Sequence, residues 1–263
     1  MKEPSPEQER AAREAGVPAT VNAALDMPFV LVPGGSFRMG SVMGEWYRCE
    51  DETAHTVTLS RPYYLGRRLV TNAQYRRFRP EHESGDPRFD HDDQPVVAVS
   101  YDDAMEFAAW LSSSDPRRRY RLPTEAEWER ACRAGSDAPY GAGEYDSAPG
   151  ERAWTRWYSG GGTHDVGDHE NPWGLSDMLG NVWEWCSDWF GDYPRGPVTD
   201  PAGPATGRER SDELGRDERV VRGGCYESDE EEARCACRGR DSPSRRDLVT
   251  GIRLAFDVPR QAR

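Results

Sequence analysis

The sequence lacks the long apolar segments that a membrane protein needs. No run approaches the ~18 consecutive apolar residues of a membrane-spanning helix, and the opening MKEPSPEQERAAREAG has no apolar stretch of the kind found in signal peptides. Lys and Arg number 34 against 47 Asp and Glu, so the net charge is -13. This balance disfavours general binding to nucleic acids or anionic membranes, because phosphate affinity depends on positive charge. We therefore expect a cytoplasmic protein without a membrane span.

Patterns that carry common enzyme or metal chemistry are also scarce. The six cysteines include no Cys-x-x-Cys pair, which disfavours a zinc ribbon, and they are too few for a disulfide scaffold. The five histidines form no His-x-x-x-His pair, and there is neither a nucleophile elbow nor a phosphate-binding glycine loop. We expect most cysteines to be reduced and buried.

Large aromatic side chains are present in an otherwise polar sequence that is rich in Gly and Pro. Hydrophobic residues make up 36% of the chain, yet nine are Trp, which is typical of a loop-rich globular domain with aromatic anchors. Residues 1–26 are charged and Ala-rich without a strong apolar period, so we expect a flexible N-terminal tail or linker. The predicted domain covers 27–258, and 259–263 form a C-terminal tail.

Short strands and three helices are predicted within this domain. The segments 29–41, 55–66, 219–224 and 251–258 have the composition of strands, and the last of them is expected to join the two ends of the domain in one sheet. Capping boxes predict three helix starts, and Gly135 suits the left-handed cap of the third helix. The boxes are Thr71 with Gln74, Ser100 with Asp103, and Thr124 with Glu127.

Seven motifs follow one another along the chain: FVLVPGGSFRMGS, VTNAQYRRF, QPVVAVSYDDAMEFAAWL, RLPTEAEWERACRAG, DMLGNVWEWCSDWF, RVVRGG and GIRLAF. In this order they resemble the family of formylglycine-generating enzymes and sulfatase-modifying factors. The resemblance implies an α+β fold, the complex C-type-lectin fold, loop-rich with short antiparallel strands. The family includes copper-dependent oxidases that convert a sulfatase cysteine to formylglycine, sulfoxide synthases, inactive paralogues, and variable proteins of diversity-generating retroelements. The fold alone therefore does not choose the function.

The resemblance implies a structural calcium site in the DMLGNVWEW motif. Its ligands would be the side chains of Asp177 and Glu184 and the carbonyls of Gly180 and Val182, a set of oxygens that suits a hard cation. The alternative is that the two carboxylates only accept hydrogen bonds from loop N–H groups.

The copper site of the oxidases is not matched. Their two cysteines correspond to Ser228 and Ala233 of this chain, so Cu⁺ binding is not expected there. Cys235 and Cys237 would share one face of a strand and leave a displaced two-thiol site open. The plainer alternative is that each is a small buried apolar residue.

The C-terminal segment 225–252 is predicted to be a ligand-binding surface, and its composition is compatible with diversification by a retroelement. Adenine mutagenesis of an Asn codon cannot produce Trp, Met, Gln, Lys or Glu, and residues 237–252 contain none of these five. Loops on a rigid frame are where recognition is expected. The alternative is a pair of solvated loops of opposite charge. The predicted binding residues, expected on one exposed face, are Tyr226, Arg238, Arg240, Asp241, Arg245, Arg246, Asp247 and Leu248.

The sequence therefore favours a non-catalytic ligand-binding or display protein over the alternative, a copper-dependent formylglycine-generating oxidase or another oxidoreductase of the same family. The expected partner is a protein or another macromolecule. The chain is expected to be a monomer or to assemble through its tail.

Overall fold

The computed structural model describes residues 2–141, 153–206 and 217–259. Each of the four α-helices in these residues begins at a capping box, and three of the boxes are those predicted from the sequence. The helices are α1 (Pro6–Ala15), α2 (Asn72–Arg76), α3 (Tyr101–Ser114) and α4 (Glu125–Arg133). Short 3-10 helices cover Ala24–Asp26 and Pro87–Phe89.

Eleven strands of the described residues form three small sheets. They are β1 (Thr20–Asn22), β2 (Pro28–Val32), β3 (Gly35–Met39), β4 (His55–Leu59), β5 (Tyr63–Gly66), β6 (Trp183–Trp189), β7 (Val198–Thr199), β8 (Arg219–Arg222), β9 (Arg238–Asp241), β10 (Thr250–Gly251) and β11 (Ala255–Asp257). The sheet orders are β1-β2-β5-β11, β10-β6-β8-β9 and β3-β4-β7. The first sheet is antiparallel throughout and pairs the last strand with β5, as predicted. The pairs β10–β6 and β4–β7 are parallel, which the sequence did not indicate.

The core forms where helices α3 and α4 pack beside these sheets. Trp128 of α4 and Trp185 of β6 are fully buried in two adjoining apolar clusters. The architecture is the predicted α+β fold with short helices and long irregular connections. Within the described residues, no helix has the length and apolarity to cross a membrane.

The N-terminal segment differs from the predicted flexible tail. Helix α1 docks through Gln8, a fully buried side chain whose amide donates hydrogen bonds to the carbonyls of Leu31 (3.0 Å) and Trp173 (3.1 Å). Strand β1 continues the first sheet. Because helix α1 docks through a polar side chain, its sequence shows no period of apolar residues. For this reason the sequence of the segment is typical of a flexible tail. Of the predicted C-terminal tail, 260–263 lie outside the described residues.

Two smaller expectations are also corrected. Helix α4 has its left-handed cap at Ala134 (φ 46°) rather than at Gly135, which follows with φ 87°. The segment 55–66 is two strands of different sheets, β4 and β5, separated by residues 60–62.

Candidate ligand-binding site

The DMLGNVWEW motif folds as a tight buried loop that enters β6. Gly180 has φ 78°, and a Cβ there would lie 2.5 Å from the Trp154 carbonyl oxygen, so only glycine fits. Asp177 is buried, and its Oδ2 accepts a 2.6 Å hydrogen bond from the Gly167 N–H. Its Oδ1 has no hydrogen-bond partner. Burial raises the pKa of this carboxyl to about 7.

Glu184 is already neutralised by a buried cation. Arg253 donates to both carboxylate oxygens, at 2.9 and 2.8 Å, and the indole of Trp128 donates to Oε2 at 2.6 Å. The predicted calcium ligands therefore fit only in part: Asp177 offers a free buried oxygen, but the oxygens of Glu184 are engaged. Within the described residues, no group of three or more His, Cys, Asp or Glu is arranged to hold a metal. Calcium binding stays a prediction.

The positions that correspond to the copper cysteines are buried and carry no thiol. Ser228 is hydrogen-bonded through its hydroxyl to the Cys225 N–H at 3.1 Å, and Ala233 is fully buried. Burial raises the pKa of Cys225, and it raises the pKa of Cys237 to about 12. Cu(I) is bound by thiolates, so binding at either position would have to include loss of the thiol proton.

Cys235 does not form the displaced pair with Cys237 that the sequence left open. Its sulfur lies 3.1 Å from that of Cys132 in helix α4, and both side chains are buried. The two residues are 103 positions apart in the chain, so no local spacing signals their contact. Only the exposed Cys49 among the six offers a thiol to solvent.

Two of the eight predicted binding residues, Tyr226 and Arg238, are buried, which corrects the expectation that all lie on one exposed face. Leu248 and Arg246 are held by contacts with the rest of the fold. Tyr226 is buried against Phe89, and Leu248 packs on the same apolar cluster. Arg238 is 2% exposed in its side chain and bonds Glu125. Arg246 is half exposed but holds Asp103, at 2.6 and 3.0 Å, at the start of helix α3.

The other four residues line one open groove of about 660 Å³ on the second sheet. Arg245 lies between Asp241 and Asp247, at 3.2 and 3.1 Å, and Arg240 lies 3.3 Å from Glu218. Trp183 of β6 and Gly239 of β9 also line the groove. We call this surface the display groove and define it by Trp183, Arg240, Asp241, Arg245 and Asp247.

The display groove offers both charge signs around an aromatic side chain. Its ion pairs are partly exposed, so they hold the side chains only weakly and can be exchanged for pairs with a ligand. Trp183 is not among the binding residues predicted from the sequence, because its motif was interpreted as a calcium site. Period-2 alternation along β6 could have placed Trp183 and the buried Glu184 on opposite faces.

The fold and the display groove define a C-type-lectin-like domain of the formylglycine-generating-enzyme type. The chain belongs to the family of the sulfatase-modifying factor enzyme 1-like domain, whose model matches residues 15–258.

Relatives with several different names resemble this chain over most of its length. The formylglycine-generating enzyme of Streptomyces coelicolor is 31% identical over 87% of this chain and 89% of the enzyme. Serine/threonine-protein kinase pkn1 of Chlamydia pneumoniae is also 31% identical, but this chain covers only 38% of the kinase.

Two solved structures share the fold over nearly their whole length. PvdO from Pseudomonas aeruginosa superimposes with a TM-score of 0.74 at 30% identity, over 90% of this chain and 97% of PvdO. Treponema denticola variable protein 1 gives 0.75 at 25% identity, over 90% and 98%. The family thus includes named enzymes and a variable protein, and the site must distinguish between them.

Proposed function

We propose that this protein is a non-catalytic ligand-binding module that recognises a protein or another macromolecule through the display groove. The observation that carries the proposal is that Arg240, Asp241, Arg245 and Asp247 line one open groove beside the second sheet. A rigid frame with exchangeable polar side chains at its surface is suited to recognition. The likeness to a variable protein supports the proposal.

The structure narrows the segment that a retroelement could diversify without unfolding the domain. Cys237, Thr250 and Ile252 are buried, so their identities are constrained by packing. A Cβ at Gly239 would lie 2.7 Å from Val221 Cγ2, so this position is constrained as well. Within 237–252 the tolerant part is therefore about 240–247 without Arg246, which holds Asp103, and we propose diversification only there. Sequencing many isolates should find substitutions in 240–247 and few at the buried positions.

A selection experiment tests the binding role. Peptides selected by phage display on the immobilised protein should lose binding when the four charged residues of the display groove are replaced with alanine. They should keep binding to a control variant that removes the same number of exposed charges elsewhere. The control replaces Glu9, Arg13, Arg77 and Asp102. Selected peptides that bind both variants equally would contradict the proposal.

The second candidate is a copper-dependent oxidase, which the family relationship keeps open. Its test is a Cu(I) titration with a cysteine-containing sulfatase peptide, using the Streptomyces coelicolor enzyme as positive control. With Ser228 and Ala233 at the two copper positions, we expect no stoichiometric Cu(I) binding and no conversion of the peptide cysteine to formylglycine. Conversion at a rate near that of the control would replace the binding proposal with the oxidase.

A further inference from the structure

Exposed arginine side chains line a groove beside the first sheet. Two adjoining cavities of about 850 and 320 Å³ form it, and the end of helix α1 and the turn between β4 and β5 line both of them. The segment that follows helix α3 lines the larger cavity. We call this surface the arginine groove and define it by Arg10, Arg61, Arg117 and Arg119. It shares no lining residue with the display groove.

The cations of the arginine groove have few partners within the protein. Arg10, Arg61 and Arg119 are exposed, and in the described part of the chain they form no ion pair. Arg117 is 81% exposed, and its carboxylate partner Asp115, 3.3 Å away, also bonds a second arginine. In a chain whose net charge is -13, four such arginines around one groove are a local concentration of available positive charge.

Three of the carboxylates that line this groove are held by arginines outside its lining. Arg121 donates to Glu127 and to Asp257, at 2.6 Å in each case. Arg130 donates to Glu7 at 3.2 Å. These carboxylates are therefore paired without using the exposed arginines, whose guanidinium groups stay available to an anion from outside.

Hydrogen bonds hold the backbone that carries these arginines. Asp200 accepts a 2.7 Å hydrogen bond from the Ser60 N–H in the turn between β4 and β5. Asp115 accepts bonds from the Arg117 N–H at 3.3 Å and from the Tyr120 hydroxyl at 3.1 Å in the segment after helix α3. Both walls of the groove are thus fixed before any ligand arrives, which lowers the entropy cost of binding.

We propose that the arginine groove binds an acidic peptide segment of a partner protein. A guanidinium can bond a carboxylate through two parallel N–H groups. Arg10 lines the smaller cavity, whereas Arg61 and Arg119 line the larger one, so the cations are spread along the groove. This spacing suits an extended segment with several carboxylates. A basic segment would meet like charges, so the groove selects against it.

Fluorescence anisotropy of a labelled peptide of alternating glycine and aspartate tests this proposal. At about 150 mM salt, the matched glycine–asparagine peptide keeps the shape and removes the charge, and it should bind at least about tenfold more weakly. General attraction cannot produce this result, because a chain of net charge -13 repels an acidic peptide. Inorganic phosphate should displace the peptide only at concentrations about a hundredfold or more above the Kd of the peptide, since it cannot span several arginines.

Charge-matched variants separate the groove from the rest of the surface. Arg61→Gln/Arg119→Gln should weaken binding at least about tenfold, whereas the same change at two exposed positions elsewhere, Arg77→Gln/Arg195→Gln, should weaken it less than about threefold.

Glu14 lines both cavities and forms no ion pair among the described residues, so its carboxylate would repel the peptide. Glu14→Gln should therefore strengthen binding about twofold to threefold. Equal losses in the two double variants would overturn the proposal, as would equal binding of the asparagine peptide or no gain in Glu14→Gln. Displacement by phosphate near the Kd of the peptide would replace the peptide site with a site for small anions.

Discussion

Replacing Arg238 with alanine is expected to lower the free energy of unfolding by about 3–5 kcal/mol, the cost of breaking a buried ion pair. The same replacement at Arg240, two residues further along β9, is expected to cost no more than about 1 kcal/mol, as for exposed pairs. The two residues have the same type, share a strand and were both predicted to bind ligand. Their difference therefore measures how the fold divides the segment 225–252 into structural and displayed positions.

The expected cost at Arg238 follows from what its guanidinium contacts. It donates to both oxygens of Glu125, at 2.7 and 2.9 Å, and to the carbonyls of Asp51 and Gly191, at 3.1 and 3.0 Å. It also stacks 3.9 Å from the centre of the Tyr193 ring. Burial alone would raise the pKa of Glu125, but the cations beside it, Arg238 foremost, hold that pKa below its usual range. Without Arg238, a buried carboxylate loses its main partner.

The side chain of Arg240 is far more exposed than that of Arg238. Its side chain is 37% exposed, and it pairs with Glu218 at 3.3 Å. Solvent screens this pair, so its loss is expected to cost little.

Urea denaturation of the two variants against wild type provides the measurement. With an m-value of about 3 kcal/mol per molar urea, Arg238→Ala should move the midpoint down by about 1–1.7 M and Arg240→Ala by less than about 0.3 M. Arg238→Met is the useful third variant, because it retains packing on the aromatic rings and still removes the main ion pair of Glu125. Similar midpoints for Arg238→Ala and Arg240→Ala would refute the division of the segment.

Four further predictions concern other parts of the domain. Burial and the nearby Glu125 carboxylate raise the pKa of Asp188 from 3.8 to about 7. The protonated Asp188 side chain therefore stabilises the fold fully below about pH 4, and this contribution is lost as the pH rises through about 7. Asp188→Asn should therefore raise the melting midpoint more at pH 8 than at pH 5, and an equal shift at both would contradict this. Calcium binding at Asp177 requires that EDTA lower the melting midpoint of wild type but not of Asp177→Asn; an unchanged wild-type midpoint excludes a structural ion. Gly239→Ala should cost about 1–3 kcal/mol in urea denaturation, because the new Cβ would lie 2.7 Å from Val221 and 3.0 Å from Trp183; a neutral result would show that the strands can separate there. Gln8→Ala should cost about 1–3 kcal/mol, because two buried carbonyls lose their donor, and no loss would mean that α1 does not dock.

Local signals in the sequence were sufficient for three of the four helices and for the strands within 29–41, 55–66, 219–224 and 251–258. A capping box involves residues only three positions apart, so Thr71, Ser100 and Thr124 could be assigned as helix starts from the sequence alone. The box of Ser5 and Gln8 has the same form. It was missed because the helix it starts docks through a polar amide, and a period of apolar residues was the criterion for a folded segment.

The candidate sites depend on contacts between distant residues, which a single sequence does not contain. Glu184 looked like a metal ligand from its motif, but its partner Arg253 lies 69 positions away. The sulfurs of Cys132 and Cys235 meet across 103 positions. In the same way, the display groove joins Trp183 and Arg240 from two separate parts of the chain. Composition could indicate that such residues exist, but only the fold determines which of them meet.

The contrast between Arg238 and Arg240 shows why residue types that adenine mutagenesis of Asn codons can produce are weak evidence for an exposed binding surface. Both side chains lie near the ring of Phe190, at 4.3 and 5.1 Å from its centre, so strand alternation does not separate them. What separates them is depth: Arg238 reaches the buried Glu125, whereas Arg240 reaches Glu218, which remains partly exposed. Substitution at the first position would remove a partner from a buried carboxylate, so most changes there would destabilise the domain rather than alter recognition alone. A surface that varies for binding must therefore begin after Arg238, and the first position at which variation costs little is Arg240.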